Sequence, residues 1–302
     1  MLSIYTNNSI SNNNVFWGEN KLANPKLSKK VPIFEFKSVQ DNINDIMSKY
    51  YTVDFESIVG KNYVNDYTKQ PIDIDGNIGA IKQVKYDCWL LSGVNALACT
   101  SAGKKYIKKA IMSHNTGNTT VYFKGTKTTI TIPQMALGAA KQSQYYVNGD
   151  DDMLAMEVAT EYFKKMLITN NEAVKNDGPN VINGKHSSGN FKDPLAGGYT
   201  SDIMFLITGK RANTFYSIKN GISQQIKDSI EKKQKNPDLY ALTCNFKKAK
   251  NGLYIHHAYA IKSVDDNFVT LINPHDSSKE EKVPIKDFYE NVASITLLEL
   301  SK

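Results

Sequence analysis

Residues 83–112 read Gln83-Val-Lys-Tyr-Asp-Cys-Trp-Leu-Leu-Ser-Gly-Val-Asn-Ala-Leu-Ala-Cys-Thr-Ser-Ala-Gly-Lys-Lys-Tyr-Ile-Lys-Lys-Ala-Ile-Met112. Apolar side chains recur at Leu90, Val94 and Leu97, then at Tyr106, Ile107 and Ile111. That spacing predicts two amphipathic helices within 81–113, broken near Thr100–Gly103. Cys88 falls at the start of the first, just after a turn. Unpaired amide donors and the helix dipole favour a thiolate at such a position. A cysteine needs that help, because a free thiol pKa of about 8.5 leaves only a few per cent thiolate at neutral pH. The competing reading is a buried apolar residue, since free cysteine is among the most buried residue types.

Working outward, residues 1–30 are rich in Asn and Ser and read as a flexible arm. Phe34 to about Ile58 has the scattered apolar residues of one or two helices, and 61–80 is polar and turn-rich, with a boundary near residue 70. Residues 119–132 read as a hairpin of two β-branched runs around Lys124-Gly125-Thr126. Met153–Ile168 is a helix preceded by Asp150-Asp151-Asp152, a charge pattern suited to a helix N-terminus. Residues 170–199 carry no periodicity and form a long loop. Helices are expected at about 200–208 and 221–233. The period then changes: Tyr240–Phe246, His257–Val264, Phe268–Asn273 and Ile295–Glu299 read as strands, with a tight turn at Asp265-Asp266-Asn267. A helical first half followed by a β-rich second half indicates an α+β fold rather than a doubly wound sheet.

The chain of 302 residues is long enough for a sizeable core and carries a net charge of +7. Its lysines are spread out, and the densest stretch, Lys232–Lys250, has only single aromatics, so a solvated surface is expected and no nucleic-acid partner. No run of about 18 apolar residues is present, which argues against a membrane-crossing helix. The first twenty residues lack the basic and apolar regions of a signal peptide, which favours the cytoplasm and leaves export by another route open. Three cysteines do not make a disulfide framework. His114, His186 and His275 have no metal-binding spacing, Thr208-Gly209-Lys210 lacks the upstream Gly of a phosphate loop, and no EF-hand loop occurs. No metal or cofactor is expected.

A cysteine nucleophile needs an imidazole to take its proton and a third group to hold that imidazole's tautomer. His257 begins one expected strand and Asn273 ends the next, so a hairpin turning near residue 266 brings them together. His256 would face the opposite side of the sheet. With these residues in view, the chain resembles the papain-like cysteine peptidases, and among them the calpain type. Asp87-Cys88-Trp89-Leu90-Leu91 matches the nucleophile motif, His257-Ala-Tyr-Ala-Ile the histidine motif and Asn273-Pro274 the asparagine motif. Glu157-Val-Ala, and Gly197-Gly198 followed by Leu206-Ile-Thr-Gly209, match two weaker family segments in the same order.

The resemblance implies a two-lobed fold over 71–302, with a helical lobe at about 71–212 carrying Cys88 and a β-rich lobe at about 213–302 carrying His257 and Asn273. It implies hydrolysis of a protein or peptide substrate through a Cys88 thioester, His257 acting as base and then acid, Asn273 orienting it, and Gln83 completing the oxyanion hole. Two departures stand out. The family places its Gln one residue further from the Cys, across a Gly-rich turn, where this chain has Val84-Lys85-Tyr86. The family also places Trp after Asn-Pro, where this chain has His275. A catalytically silent peptide-binding homologue and a peptide ligase or transamidase are the alternatives. Residues 1–70 are either a removable pro-segment or a packed extension, in which Phe34, Phe36, Tyr50, Tyr51 and Phe55 would meet the core.

Overall fold

The computed structural model describes residues 5–6, 50–54, 58, 71–143, 145–169, 194–218, 221–249 and 252–300. The expected arm beyond residues 5–6, the helices expected over 34–49, Phe34, Phe36, Phe55, and 170–193 of the long loop lie outside the described residues, as does His186.

Helices α1 (Cys88–Ala98) and α2 (Ser101–Ala110) realise the two expected helices. Thr100 caps α2 by accepting from Gly103 N, which is why the chain breaks there. The helical reading overshoots at its end, because Ile111–Ser113 is strand β3 and Ile111 is buried opposite Val121. Strands β4 (Thr119–Phe123) and β5 (Thr128–Ile132) form the expected hairpin, with every second side chain buried. A second correction concerns 50–58. Tyr50–Thr52 is not helical but a strand, β2, lying parallel to β5, with a two-residue strand β1 (Tyr5–Thr6) at its outer edge. The run Tyr-Tyr-Thr-Val alternates, and its Tyr51 and Val53 are buried in the core beneath that sheet. The first sheet is therefore five-stranded, in the order β1-β2-β5-β4-β3.

Helix α3 (Gln134–Gln142) was not legible from apolar spacing, since it buries mainly Ala and Gly. Helix α4 (Asp151–Thr169) is the expected acidic-capped helix, and α5 (Thr200–Thr208) ends on Gly209 at φ +71°, a left-handed cap that Gly adopts without strain. Gly93 lets α1 and α5 approach closely, for a Cβ there would stand 2.2 Å from Ile203 Cγ2.

The remainder builds a second sheet. Strand β6 (Asn213–Tyr216), helix α6 (Gln224–Lys235), strands β7 (Tyr240–Phe246), β8 (Ala258–Val264), β9 (Phe268–Ile272) and β10 (Glu280–Pro284), helix α7 (Ile285–Asn291) and strand β11 (Val292–Glu299) follow in that order. The six strands are antiparallel in the order β10-β9-β8-β7-β11-β6. Ala241, Ala260, Leu298 and Leu300 join the core shared with α1 and α5, while Leu242, Cys244, Tyr259, Ile261 and Leu271 form a second core with Ile226 and Ile230 of α6. The fold is α+β. Helix α1 lies against one face of this sheet, and the small side chains Ala258 and Ala260 on β8 allow that approach.

Candidate active site

Cys88 is the first residue of α1, after Asp87, whose carbonyl accepts from Leu90 N and Leu91 N. Its sulfur faces the backbone N–H of Ala258. One turn further, Ser92 Oγ donates to Ala258 O at 2.7 Å. The N-terminal turn of α1 is thus fastened to the first residue of β8, next to His257.

His256 occupies a left-handed conformation, φ +55°, unusual for a residue with a Cβ. The kink leaves His256 exposed and turns His257 inward to 6% exposure. His257 Nε2 lies 2.9 Å from Asn273 Oδ1, and Asn273 is buried at the end of β9. The β8–β9 turn that pairs them is the one the sequence predicts: Asp265 N donates to Phe268 O, and Asp265 Oδ1 accepts from Asn267 N. Asn273 Oδ1 also accepts from His275 N at 3.1 Å, and Asn273 Nδ2 donates to Glu281 Oε1 at 2.8 Å.

The imidazole sits among rings. His275 lies tilted over it with centroids 4.2 Å apart, Tyr259 meets it edge-on at 4.9 Å, and Tyr254 stands edge-on to both His257 and His275. His275 and Tyr254 are exposed, so they cover a buried pair from outside. These two rings occupy the solvent side of His257.

Burial pushes His257 down to about 4; the Asn273 hydrogen bond works the other way, and His275 adds to the fall. Burial likewise pushes the Cys88 thiol above its ordinary value, outweighing the N–H groups of Ala258 and Trp89, and the Asp87 carboxylate reinforces the rise. The thiolate expected from the helix N-terminus is therefore not the resting form: desolvation is the larger effect, and thiol and imidazole rest neutral.

Gln83 is held beside Asn273, because its N–H donates to Pro274 O at 2.9 Å. Ile81 strengthens the tie, donating to Ser277 Oγ and accepting from Ser277 N. The Gln83 side chain, however, turns back on its own loop: Nε2 donates to Lys85 O at 2.6 Å, and Oε1 is buried without a hydrogen-bond partner among the described residues.

The weaker motif segments converge on the same place. Glu157 on α4 accepts from Val147 N and faces Asp87. Burial and the Asp87 charge hold Glu157 well above the usual carboxyl range. Gly197 N donates to Tyr86 O, Trp89 Nε1 donates to Leu195 O, and a Cβ on Gly198 would stand 2.6 Å from the Trp89 ring. Between these lies a buried ion pair, Lys85 with Glu161, which Lys165 joins at 2.7 Å; Lys85 Nζ lies 3.7 Å from the centre of the Tyr146 ring. Burial would raise Glu161, but the two lysines hold it below its ordinary value.

Sequence reading missed Lys85, Glu161 and Glu281. Lys85 and Glu161 are 76 positions apart and carry no local signal. Glu281 becomes a neighbour of Asn273 once the Lys279-Glu280-Glu281-Lys282-Val283 run is recognised as a strand folding back on β9.

No group of three or more His, Cys, Asp or Glu side chains among the described residues could hold a metal ion. No helix among them is long and apolar enough to cross a membrane. No protein-family model matches the chain, and the search of curated proteins finds no match either.

Proposed function

We propose that the protein is a papain-like cysteine peptidase of the calpain type, with Cys88 on the helical side and His257 and Asn273 on the six-stranded sheet facing one another across a substrate cleft. The observation that carries this reading is the 2.9 Å contact between His257 Nε2 and Asn273 Oδ1, made next to the residue whose N–H faces the Cys88 sulfur. Base and orienter come from the two ends of one hairpin and the nucleophile from a helix about 170 positions earlier, and a merely structural histidine requires no such convergence.

With Nε2 bonded to Asn273, the other ring nitrogen, Nδ1, is the proton acceptor. As the Cys88 sulfur attacks the peptide carbonyl, its proton passes to Nδ1, and His257 returns that proton to the leaving amine. Water, deprotonated by the same nitrogen, then attacks the thioester and releases the new carboxylate. The backbone N–H of Cys88 is one donor for the oxyanion. Gln83 Nε2 supplies a second by exchanging Lys85 O for the substrate oxygen, a donor worth about 3–4 kcal/mol of barrier. The turned-back Gln83 amide also favours the silent, peptide-binding alternative, and transfer of the acyl group to an amine would use the same thioester.

Incubation with a mixture of unstructured peptides in ¹⁸O-labelled water separates the three. Hydrolysis is expected, with ¹⁸O in the new carboxyl termini. Products carrying an added amine would indicate a ligase, and intact peptides at every pH from 5 to 9 would indicate a binding protein.

A further inference from the structure

We propose that Glu281 is a positioning residue that fixes the side-chain amide of Asn273 and, through it, the tautomer of His257. The inference rests on the peptidase reading for its consequence, although its geometry stands alone.

Glu281 lies on β10, opposite Leu271 of β9, two residues before Asn273. An ionised carboxylate only accepts hydrogen bonds. The 2.8 Å contact of Glu281 Oε1 with the Asn273 amide therefore selects the amide's nitrogen end, leaving the oxygen end for His257. The N–H of His275, which only donates, meets that same oxygen at 3.1 Å and agrees with this orientation. An amide oxygen in turn only accepts, so the His257 nitrogen at 2.9 Å must carry the hydrogen. A neutral imidazole has one donor and one acceptor nitrogen. Nε2 is the donor, and Nδ1 is left bare, as a base for the Cys88 thiol must be. Since His257 rests neutral, its tautomer decides whether it can act as that base at all.

Without Glu281, the Asn273 nitrogen would lose its charged acceptor, and the amide would be held at one end only. Glu281→Thr suits a strand and is too short to reach Asn273; Glu281→Gln keeps an acceptor oxygen while removing the charge. Thermal melts are run alongside to check that both variants fold. The tautomer is read from the ¹⁵N shifts of the His257 ring at pH 7, with His257→Asn used to assign the signal. The expected result is a predominantly Nε2–H imidazole in the parent and in Glu281→Gln, and a mixture of both tautomers in Glu281→Thr. Where peptides are cleaved, kcat should fall about 10–100-fold in Glu281→Thr with KM little changed, and return with Gln. An unaltered Nε2–H tautomer in Glu281→Thr overturns the proposal whatever the activity. A shifted tautomer in a protein that cleaves no peptide would sustain the proposal and defeat the peptidase reading instead.

Discussion

Peptide hydrolysis is expected to fall roughly 10⁴–10⁶-fold in Cys88→Ala, and by a comparable factor in His257→Ala. The proposed mechanism forms the acyl bond on the Cys88 thiol, and alanine at that position removes it without removing the bonds that fasten the helix. Asp87 O still accepts from Leu90 and Leu91, and Ser92 still donates to Ala258. Loss of the imidazole leaves a thiol that burial and the Asp87 charge keep protonated, without the base that the proposed mechanism uses. Because the two groups act as one unit, the double variant should be little worse than either single one. The assay is steady-state cleavage of the best peptide found in the labelled-water screen, with melting curves showing that each variant is folded. Retention of more than a tenth of the parent rate in Cys88→Ala would remove Cys88 from the chemistry.

The second large effect is on stability. Lys85→Met should cost about 3–5 kcal/mol, the usual consequence of taking one partner from a buried ion pair. Lys85 and Glu161 have side chains only 6% and 8% exposed, and water cannot replace the lost ammonium. Lys165 remains on Glu161, which places the loss toward the lower end of that range. The effect depends on pH in a definite direction. Glu161 has its folded pKa held below the ordinary 4.5, so its pairing stabilises the fold fully above the unfolded value and is lost as pH falls through the lowered folded value. The difference between parent and Lys85→Met should thus be largest at pH 6–8 and narrow below about pH 4. Urea denaturation at pH 7 and pH 4 measures both, and a change under about 1 kcal/mol at pH 7 would show that the pair contributes little.

The parts legible in the sequence were those with a strong period or a local cap. Helix α4 and strands β7, β8 and β9 fall within a few residues of their expected bounds, because Leu154, Val158 and Tyr162 recur at helical spacing and the later segments are short apolar runs bounded by turn residues. Elements lacking that signal were missed. Helix α3 is built on Ala and Gly, β6 is a four-residue edge strand, and β10 is an edge strand of Glu, Glu and Lys, charged as edges tend to be. Strand β2 was misread because its alternation spans only Tyr51–Val53 and its partner, β5, is 79 positions away.

The site divides in the same way. His257 and Asn273 could be brought together from the sequence because a single hairpin joins them. The direction of the Cys88 and His257 shifts could not, since it follows from burial by α1, β8 and the rings of Tyr254, Tyr259 and His275. Nor could the sequence foretell the Gln83 amide's turn onto Lys85 O, which belongs to a loop without the glycine of the related motif.

Alkylation by iodoacetamide across pH 4–9, with the label located by mass spectrometry, tests the nucleophile–base pair most directly. His257 is deprotonated above about pH 4 and can serve Cys88 as a base from there upward. Cys99 and Cys244 are also raised by burial, and neither is the thiol that the proposed pair assigns to His257. Cys88 should therefore label fastest, with a rate nearly level from pH 5 to 8, and His257→Ala should abolish that plateau and leave a rate that climbs only toward alkaline pH. A Cys88 that labels no faster than Cys99 at pH 7, or that is indifferent to His257→Ala, would contradict the pair and with it the proposed chemistry.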